Sequence, residues 1–214
     1  MILNKDIETI ILVANKNELA FATTDSSSLV YEIGVGKVNA ILSVATLYDE
    51  IKTLGINPVL LNVGTVGCTR HPIGHVLYPA YYAQGDAYTD GFFLENTLFL
   101  KGQGKIESVP LDEFRYEDAI LTSDRFVNIN TPFYQDVKHF NPLAFDMESY
   151  ALASFCFHKN LSFHSIKIVS DNCDGTVKDW ESILFEISGR LGIILDKFMK
   201  ERLGAAKLST FNIS

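Results

Sequence analysis

Cysteine is scarce: Cys68, Cys156 and Cys173 are odd in number and far apart, and no CxxC pair occurs. That pattern fits a reduced cytoplasmic protein better than a disulfide scaffold or a zinc module. Basic residues are outnumbered, 18 against 26 acidic, leaving a net charge of -8 and a sequence pI of about 5.1. A nucleic-acid binder needs a basic footprint, and an anionic membrane surface would repel this chain. No apolar run approaches the ~18 residues of a membrane span. The charged first eight residues lack the apolar core of a signal peptide. Linkers, repeats and low-complexity stretches are missing too, so residues 1–214 are expected to form one domain. Hydrophobic content of 47% supplies an ample core.

Short apolar runs alternate with helical periodicity. TIILVA (9–14) and SLVYEI (28–33) read as buried strands. In KVNAILSVATLYDEIKTLG, apolar residues fall at Val38, Ile41, Leu42, Ala45, Tyr48, Ile51 and Leu54, and Gly55 closes the helix. NPVLLNVG, HVLYPAYY, DAILTSD and FHSIKIVSDN read as further strands. MESYALASFCFHK reads as a helix with Asp146 as N-cap and Cys156 on its apolar face, and WESILFEISGRLGIILDKFMKERL as a closing helix. Alternating βα units predict an α/β layered fold, and hairpin-like strand pairs predict a mixed sheet.

Ligands of open α/β sheets sit beyond the carboxyl ends of the strands. There this chain places NKNE, ending in Glu18, then GVGK, GTVG, SDRF and SDNCDG. Small residues let backbone approach a ligand. Glu148 opens a helix after the short run PLAF, where the helix dipole favours the ionised carboxylate. An ionised carboxylate accepts two hydrogen bonds at once, which suits a vicinal diol. Taken alone, though, Glu148 reads first as a dipole-complementing residue on a solvated turn. Asp171, in SDN, is either a local turn acceptor or a proton donor to a leaving group.

Other motifs fall short. GVGKVNA lacks the third glycine of GxGxxG and the Ser or Thr of a phosphate-binding GK loop. His71 and His75 are four apart, but Pro72 and Gly74 interrupt any helix that would present both to one metal. All five histidines read as surface or hydrogen-bonded structural residues. No metal is expected.

In order along the chain, IGVGKVNA, LNVGTVGC, TSDRFVN, FDMESYALASFC and KIVSDNCDG resemble the motifs of the nucleoside phosphorylase/nucleosidase superfamily. Within it they are most similar to the 5′-methylthioadenosine/S-adenosylhomocysteine nucleosidases. The resemblance implies a three-layer α/β/α sandwich around a mixed sheet, no organic cofactor or metal, a small-molecule purine nucleoside as substrate, and a homodimer or higher homo-oligomer. It also implies roles for individual residues. Asp171 would protonate or hydrogen-bond purine N7, with Ser170 supporting it. Glu148 would bind the ribose hydroxyls, and Met147 would line the sugar face. Phe126 would stack on the base, and the Val127 backbone would read its edge. Thr65 and Gly67 would lie by sugar and base, Glu18 would activate water, and Trp180 would close the pocket.

Hydrolysis and phosphorolysis are the main alternatives. The related phosphorylases hold phosphate with arginines, one of them just before the glycine loop, where this chain has Asn62. Binding a phosphate dianion without cationic donors is costly, so water is the expected nucleophile. Futalosine hydrolases fit nearly as well, and a non-catalytic storage or binding protein on the same fold is the remaining alternative. The segment between Glu18 and Gly34 is short and Thr65 stands in place of a serine. These departures from the family pattern lead to the expectation of a 5′ pocket that differs from that of the nucleosidases.

Overall fold

The computed structural model describes residues 3–19, 26–175 and 180–203. Strands β1 (Thr9–Val13), β2 (Ser28–Glu32) and β3 (Val59–Gly67) run parallel, with β1 between the other two. Helix α1 (Lys37–Leu54) links β2 to β3 and ends at Gly55, whose φ of 67° satisfies the left-handed turn closing the last carbonyls. The expected single strand over HVLYPAYY is instead two, β4 (Val76–Leu77) and β5 (Tyr81–Gln84). Pro79 falls between them, and a residue without an N–H cannot continue a ladder.

The chain continues through β6 (Tyr88–Thr89) and β7 (Phe92–Phe93), a separate two-stranded ribbon, and then β8 (Phe99–Lys101), β9 (Gly104–Lys105) and β10 (Glu107–Val109). Then come β11 (Ala119–Thr122), α2 (Pro132–Val137), β12 (Ala144–Asp146), α3 (Ser149–Lys159), β13 (Ser162–Asp171) and α4 (Trp180–Phe198). Eleven of the described strands form one mixed sheet. Its path is β10-β8-β5-β11-β12-β3-β1-β2, and β13 pairs with β3 in parallel.

Strand alternation splits the core across the sheet. Ile10, Leu12, Leu60 and Phe163 pack on one face with Ala40, Val44, Leu47, Leu152 and Cys156 of α1 and α3. Ile11, Val13, Leu61, Val63, Ile166 and Ile168 pack on the other with Ile187, Leu191 and Leu195 of α4. The result is the three-layer α/β/α arrangement expected from the sequence. Strands β1 and β13 run parallel to β3, whereas β11 runs parallel to β12, which is antiparallel to β3 and pairs with it only at Phe145–Gly67, so the carboxyl ends of the two sets converge from opposite sides, and the polar loops gather there.

Candidate active site

A cavity of about 580 Å³ opens at that convergence. The volume suits a small molecule. Glu18, Thr65, Gly67, Phe126, Val127, Met147, Glu148, Ser170 and Asp171 all line it. Trp180 opens α4, but its side chain lies outside the described residues.

Asp171 is delivered by the last residue of β13. Between Val169 and Asp171 the ladder with β3 slips by one residue at Ser170, a bulge that re-aims the carboxylate. The Ser170 hydroxyl donates to Asp171 Oδ2 at 2.9 Å, with Val66 O as an alternative acceptor at 3.2 Å. The Cys173 N–H donates to Oδ1 at 2.9 Å. Gly67 is paired with Asp171 in the ladder, and a Cβ there would sit 2.7 Å from Cys173 Sγ and 3.1 Å from Asp171 Oδ1. Only glycine lets the strand approach this closely. Burial, then the Asp171 charge, pushes the Cys173 thiol up, so it stays protonated at neutral pH.

Glu18 sits in a 3-10 turn, Lys16–Leu19, directly after β1. Its Oε2 accepts from the N–H groups of Ala14 (3.1 Å) and Asn15 (3.3 Å). Its Oε1 accepts from Thr65 N (3.1 Å) and Thr65 Oγ1 (3.2 Å). Four donors occupy the roughly four lone-pair positions of a carboxylate. Of these, only the Thr65 hydroxyl can rotate away and free a position. Burial raises the Glu18 carboxyl above its ordinary value, against the lowering field of Lys167 and its own hydrogen bonds.

Glu148 corrects the sequence reading. It is the N-cap residue of α3 by backbone position, but its side chain makes no cap hydrogen bond. The carboxylate turns instead to Gly36, whose N–H reaches Oε1 at 2.8 Å. Gly36 has φ 90°, open to glycine, and a Cβ there would meet Asp124 Oδ1 at 3.1 Å. Nor is Glu148 held ionised by the dipole. Burial and then the Asp146 charge push its carboxyl up to about 7, despite Lys167 and the Gly36 N–H. Asp146, expected as the cap, ends β12 and accepts from Ser149 N at 3.0 Å, so it serves the helix from the strand.

Lys167 is the residue that the motifs missed. It is 1% exposed, lies opposite Gly64 in the β13–β3 ladder and holds Asp146 Oδ2 at 3.1 Å. Its field reaches both Glu18 and Glu148. One ammonium thus serves three buried carboxylates. The signal in the sequence was a lone lysine inside SIKIVSD, since a charge in a buried strand must be paired.

Asn62 also lines the cavity, but its amide is spent on structure. It donates to Leu12 O at 3.3 Å and accepts from Ser149 Oγ at 3.0 Å, tying β1 and β3 to α3. Phe126, 54% exposed, stands with Arg125 and Val35 at the mouth. His71 and His75, kept off a shared helix by Pro72 and Gly74, stack face to face at 4.5 Å.

The fold is shared with solved nucleosidases. A Streptococcus pneumoniae MTA/SAH nucleosidase, solved with 8-aminoadenine, superposes with a TM-score of 0.69, 22% identity, and coverage of 91% of this chain and 99% of that one. A Helicobacter pylori futalosine hydrolase superposes with a TM-score of 0.67 and 18% identity, covering 91% of this chain and 98% of that one. In sequence, the 5′-methylthioadenosine/S-adenosylhomocysteine nucleosidase of Listeria innocua is 28% identical over 164 residues, 65% of this chain. The aligned stretch spans 66% of the Listeria protein. No family model matches the chain.

Proposed function

We propose that this chain, as one domain over residues 1–214, is a purine nucleosidase that hydrolyses the N-glycosidic bond of a 5′-modified nucleoside of the methylthioadenosine or S-adenosylhomocysteine type. The observation that carries the reading is the convergence of Asp171, Glu148 and Glu18 on one cavity. Relatives and structural neighbours named as nucleosidases support it.

The chemistry divides among the three carboxyl groups. Asp171, oriented by Ser170 and the Cys173 N–H, passes a proton to purine N7. That makes the base a competent leaving group, and the C1′–N9 bond breaks towards an oxocarbenium-like sugar. Phe126 stacks on the base, the Val127 backbone reads its edge, and Gly67 leaves room for it. Glu148 takes the ribose hydroxyls, with Met147 against the sugar face. When the Thr65 hydroxyl turns, Glu18 accepts a proton from water, whose oxygen joins C1′. The buried negative groups stabilise the cationic sugar. Water has then added across the bond: the sugar gains hydroxyl, the base keeps the proton from Asp171, and exchange with solvent resets Asp171 and Glu18. This route needs no metal or organic cofactor.

Futalosine hydrolysis is the second reading, supported by the Helicobacter pylori neighbour. It keeps every step above and changes the base and 5′ group. Among the described residues no helix is long and apolar enough to cross a membrane. A cytoplasmic role in nucleoside catabolism and methionine salvage belongs to the proposal. So does a homodimer, supported by the exposed apolar stripe Val38 (67%) and Leu42 (64%) along α1.

Incubation with a nucleoside panel, with and without phosphate, tests the function. Free sugar and free purine are expected under both conditions, and Glu18→Gln is expected to stop turnover while nucleoside binding survives. Release of sugar 1-phosphate at a rate that saturates with phosphate would overturn hydrolysis. Light scattering on the same sample is expected to read about twice the chain mass of 23.9 kDa, and a monomer mass would remove the dimer.

A further inference from the structure

Helix α1 begins with a lysine at the end where its own dipole is positive. Lys37 is the first helical residue, the N-cap Gly36 has no side chain to cap with, and the first turn carries no acid. A cation at that end is unfavourable unless something compensates it. The compensation comes from distant parts of the chain. The Gly36 N–H donates to Glu148 Oε1 at 2.8 Å, and the Lys37 N–H to Asp124 Oδ1 at 2.8 Å. The Lys37 ammonium meets both oxygens of Asp86, at 2.5 and 2.6 Å, and lies 3.7 Å from Asp124 Oδ2. Asp86 Oδ2 in turn accepts from the Asp124 N–H at 3.0 Å. Burial pulls the Asp86 carboxyl up, but the ammonium and the Asp124 N–H bring it below its ordinary value.

The members of this clasp come from separate parts of the sheet. Lys37 lies beyond β2, at the end of the sheet path, Asp86 beyond β5 and Asp124 beyond β11. Between β11 and β2 the path runs through β12, β3 and β1, and β12 joins β3 only at Phe145–Gly67. The clasp therefore spans the convergence at which the cavity opens. Lys37, Asp86 and Asp124 do not line the cavity, but residues beside them do: Val35 ahead of Lys37, and Phe126 and Val127 after Asp124. Glu148, on which the Gly36 N–H donates, lines it too. The Lys37 and Asp86 side chains are only 15% and 21% exposed, so water screens this pair less than a surface ion pair.

We propose that Lys37 is a positioning residue for substrate binding. Its ammonium, between Asp86 and Asp124, locks the loop after β2 to the segment after β11. The Gly36 N–H thereby stays on Glu148, and the sugar contact and the base wall at Phe126 and Val127 keep a fixed separation. The inference rests on the nucleosidase reading of the same cavity. Its physical basis is charge. Without the ammonium, Asp86 and Asp124 are neighbouring carboxylates with no counter-charge, and their repulsion drives the two segments apart. Asp171 and Glu18 are held by other bonds, to Ser170, Cys173, Ala14, Asn15 and Thr65. The bond-breaking step is therefore expected to keep its rate once substrate is bound.

The test measures KM and kcat on 5′-methylthioadenosine and on futalosine, together with amide hydrogen exchange at Gly36 by NMR. The proteins are wild type, Lys37→Met, Lys37→Arg, Asp86→Ala and the Lys37→Met/Asp86→Ala double variant. Lys37→Met is expected to raise KM about tenfold with kcat held within about threefold, a loss of binding rather than of chemistry. Gly36 exchange is expected to quicken by about tenfold or more. Lys37→Arg, which can still meet both oxygens of Asp86, is expected to restore most of the KM. Asp86→Ala opens the same clasp from the other side and carries the test if Lys37→Met does not fold. The double variant is expected to be no worse than the worse single one, because both remove one clasp. An unchanged KM in Lys37→Met overturns the proposal. So does a kcat that falls with the folded fraction at constant KM, the pattern of a residue that only stabilises the fold. A double variant in which the two single effects on KM multiply overturns it as well. If the wild type cleaves neither nucleoside, the nucleosidase reading fails, and unchanged Gly36 exchange in Lys37→Met would overturn the clasp on its own. If the wild type cleaves with a KM independent of Lys37, hydrolysis stands and this inference falls.

Discussion

The floor of the cavity and its mouth are built on opposite principles. On the floor, Asp171 and Glu18 are buried, 4% and 5% exposed, and held by two and four hydrogen bonds. Their orientations are settled before any ligand arrives, which is the condition for electrostatic catalysis without reorganisation. At the mouth, Val35, Arg125 and Phe126 are exposed, and the fixed element is the backbone beneath them. On the floor the side chains are fixed, and at the mouth only the backbone is. Glu148 stands between the two regions, buried like the floor but held, among the described residues, by the single Gly36 N–H.

The sharpest way to break this comparison is on the floor. Asp171→Asn is expected to keep the acceptor for the Cys173 N–H and lose the transferable proton. Turnover of purine nucleosides should fall on the order of 10²–10⁴-fold, the usual contribution of general acid catalysis, with KM moving far less. Near-normal kcat in a folded variant would remove Asp171 as the acid and leave it a loop-shaping residue.

A second substitution tests whether the floor depends on its one ammonium. Lys167→Met leaves Asp146, Glu18 and Glu148 buried without a nearby cation. Breaking one side of a buried ion pair costs about 3–5 kcal/mol, and a urea titration should show a loss of that order. Adding Asp146→Asn should recover part of it, because asparagine still accepts from Ser149 N without the charge. A loss below about 1 kcal/mol for Lys167→Met would mean that the ammonium does not hold the carboxylates together.

Lys167 also marks where sequence reading stopped. Strands β1, β2, β3, β11 and β13, the helix over residues 37–54 and the layer order were legible because apolar periodicity reports burial directly, whereas the short strands β6 to β10 were not read from it. The three carboxylates were legible as residues that follow apolar runs, whose ends the fold brings together from opposite sides. What stayed hidden depends on pairing across the sheet. Lys167 meets Asp146 only because β13 and β12 flank β3, and Glu148 meets Gly36 across 112 residues of chain. Glu148 was misread because local position suggested a helix dipole, whereas its neighbours Asp146 and Glu18 and its burial decide its charge. Asn62, read as a marker of the nucleophile, proves to be a clip between layers as well.

The smallest expected effect concerns that charge. The Glu148 carboxyl is raised from an ordinary 4.5 to about 7, by burial first and by the Asp146 charge second. A carboxyl raised on folding binds its proton more tightly in the folded state. Its stabilising contribution is therefore full below about pH 4.5 and is lost as pH rises through about 7. Glu148→Gln keeps an oxygen for the Gly36 N–H and never ionises. Relative to that variant, the wild type should lose on the order of 1–3 kcal/mol of stability between pH 5 and pH 8, flattening above. Activity should run the other way. Accepting both ribose hydroxyls requires the ionised carboxylate, and Glu18, itself raised, must be ionised to take a proton from water. The wild-type kcat/KM should therefore climb with pH through about 7, a limb that belongs to the Glu148–Glu18 cluster rather than to either group. Stability and activity would then trade against each other over the same pH interval, as expected when a site buries charge to use it. A stability difference between wild type and Glu148→Gln that stays constant from pH 5 to pH 8 would show that Glu148 is ionised throughout. The carboxylate would then be as settled as those of the floor, and the contrast between the two regions would lose its middle member.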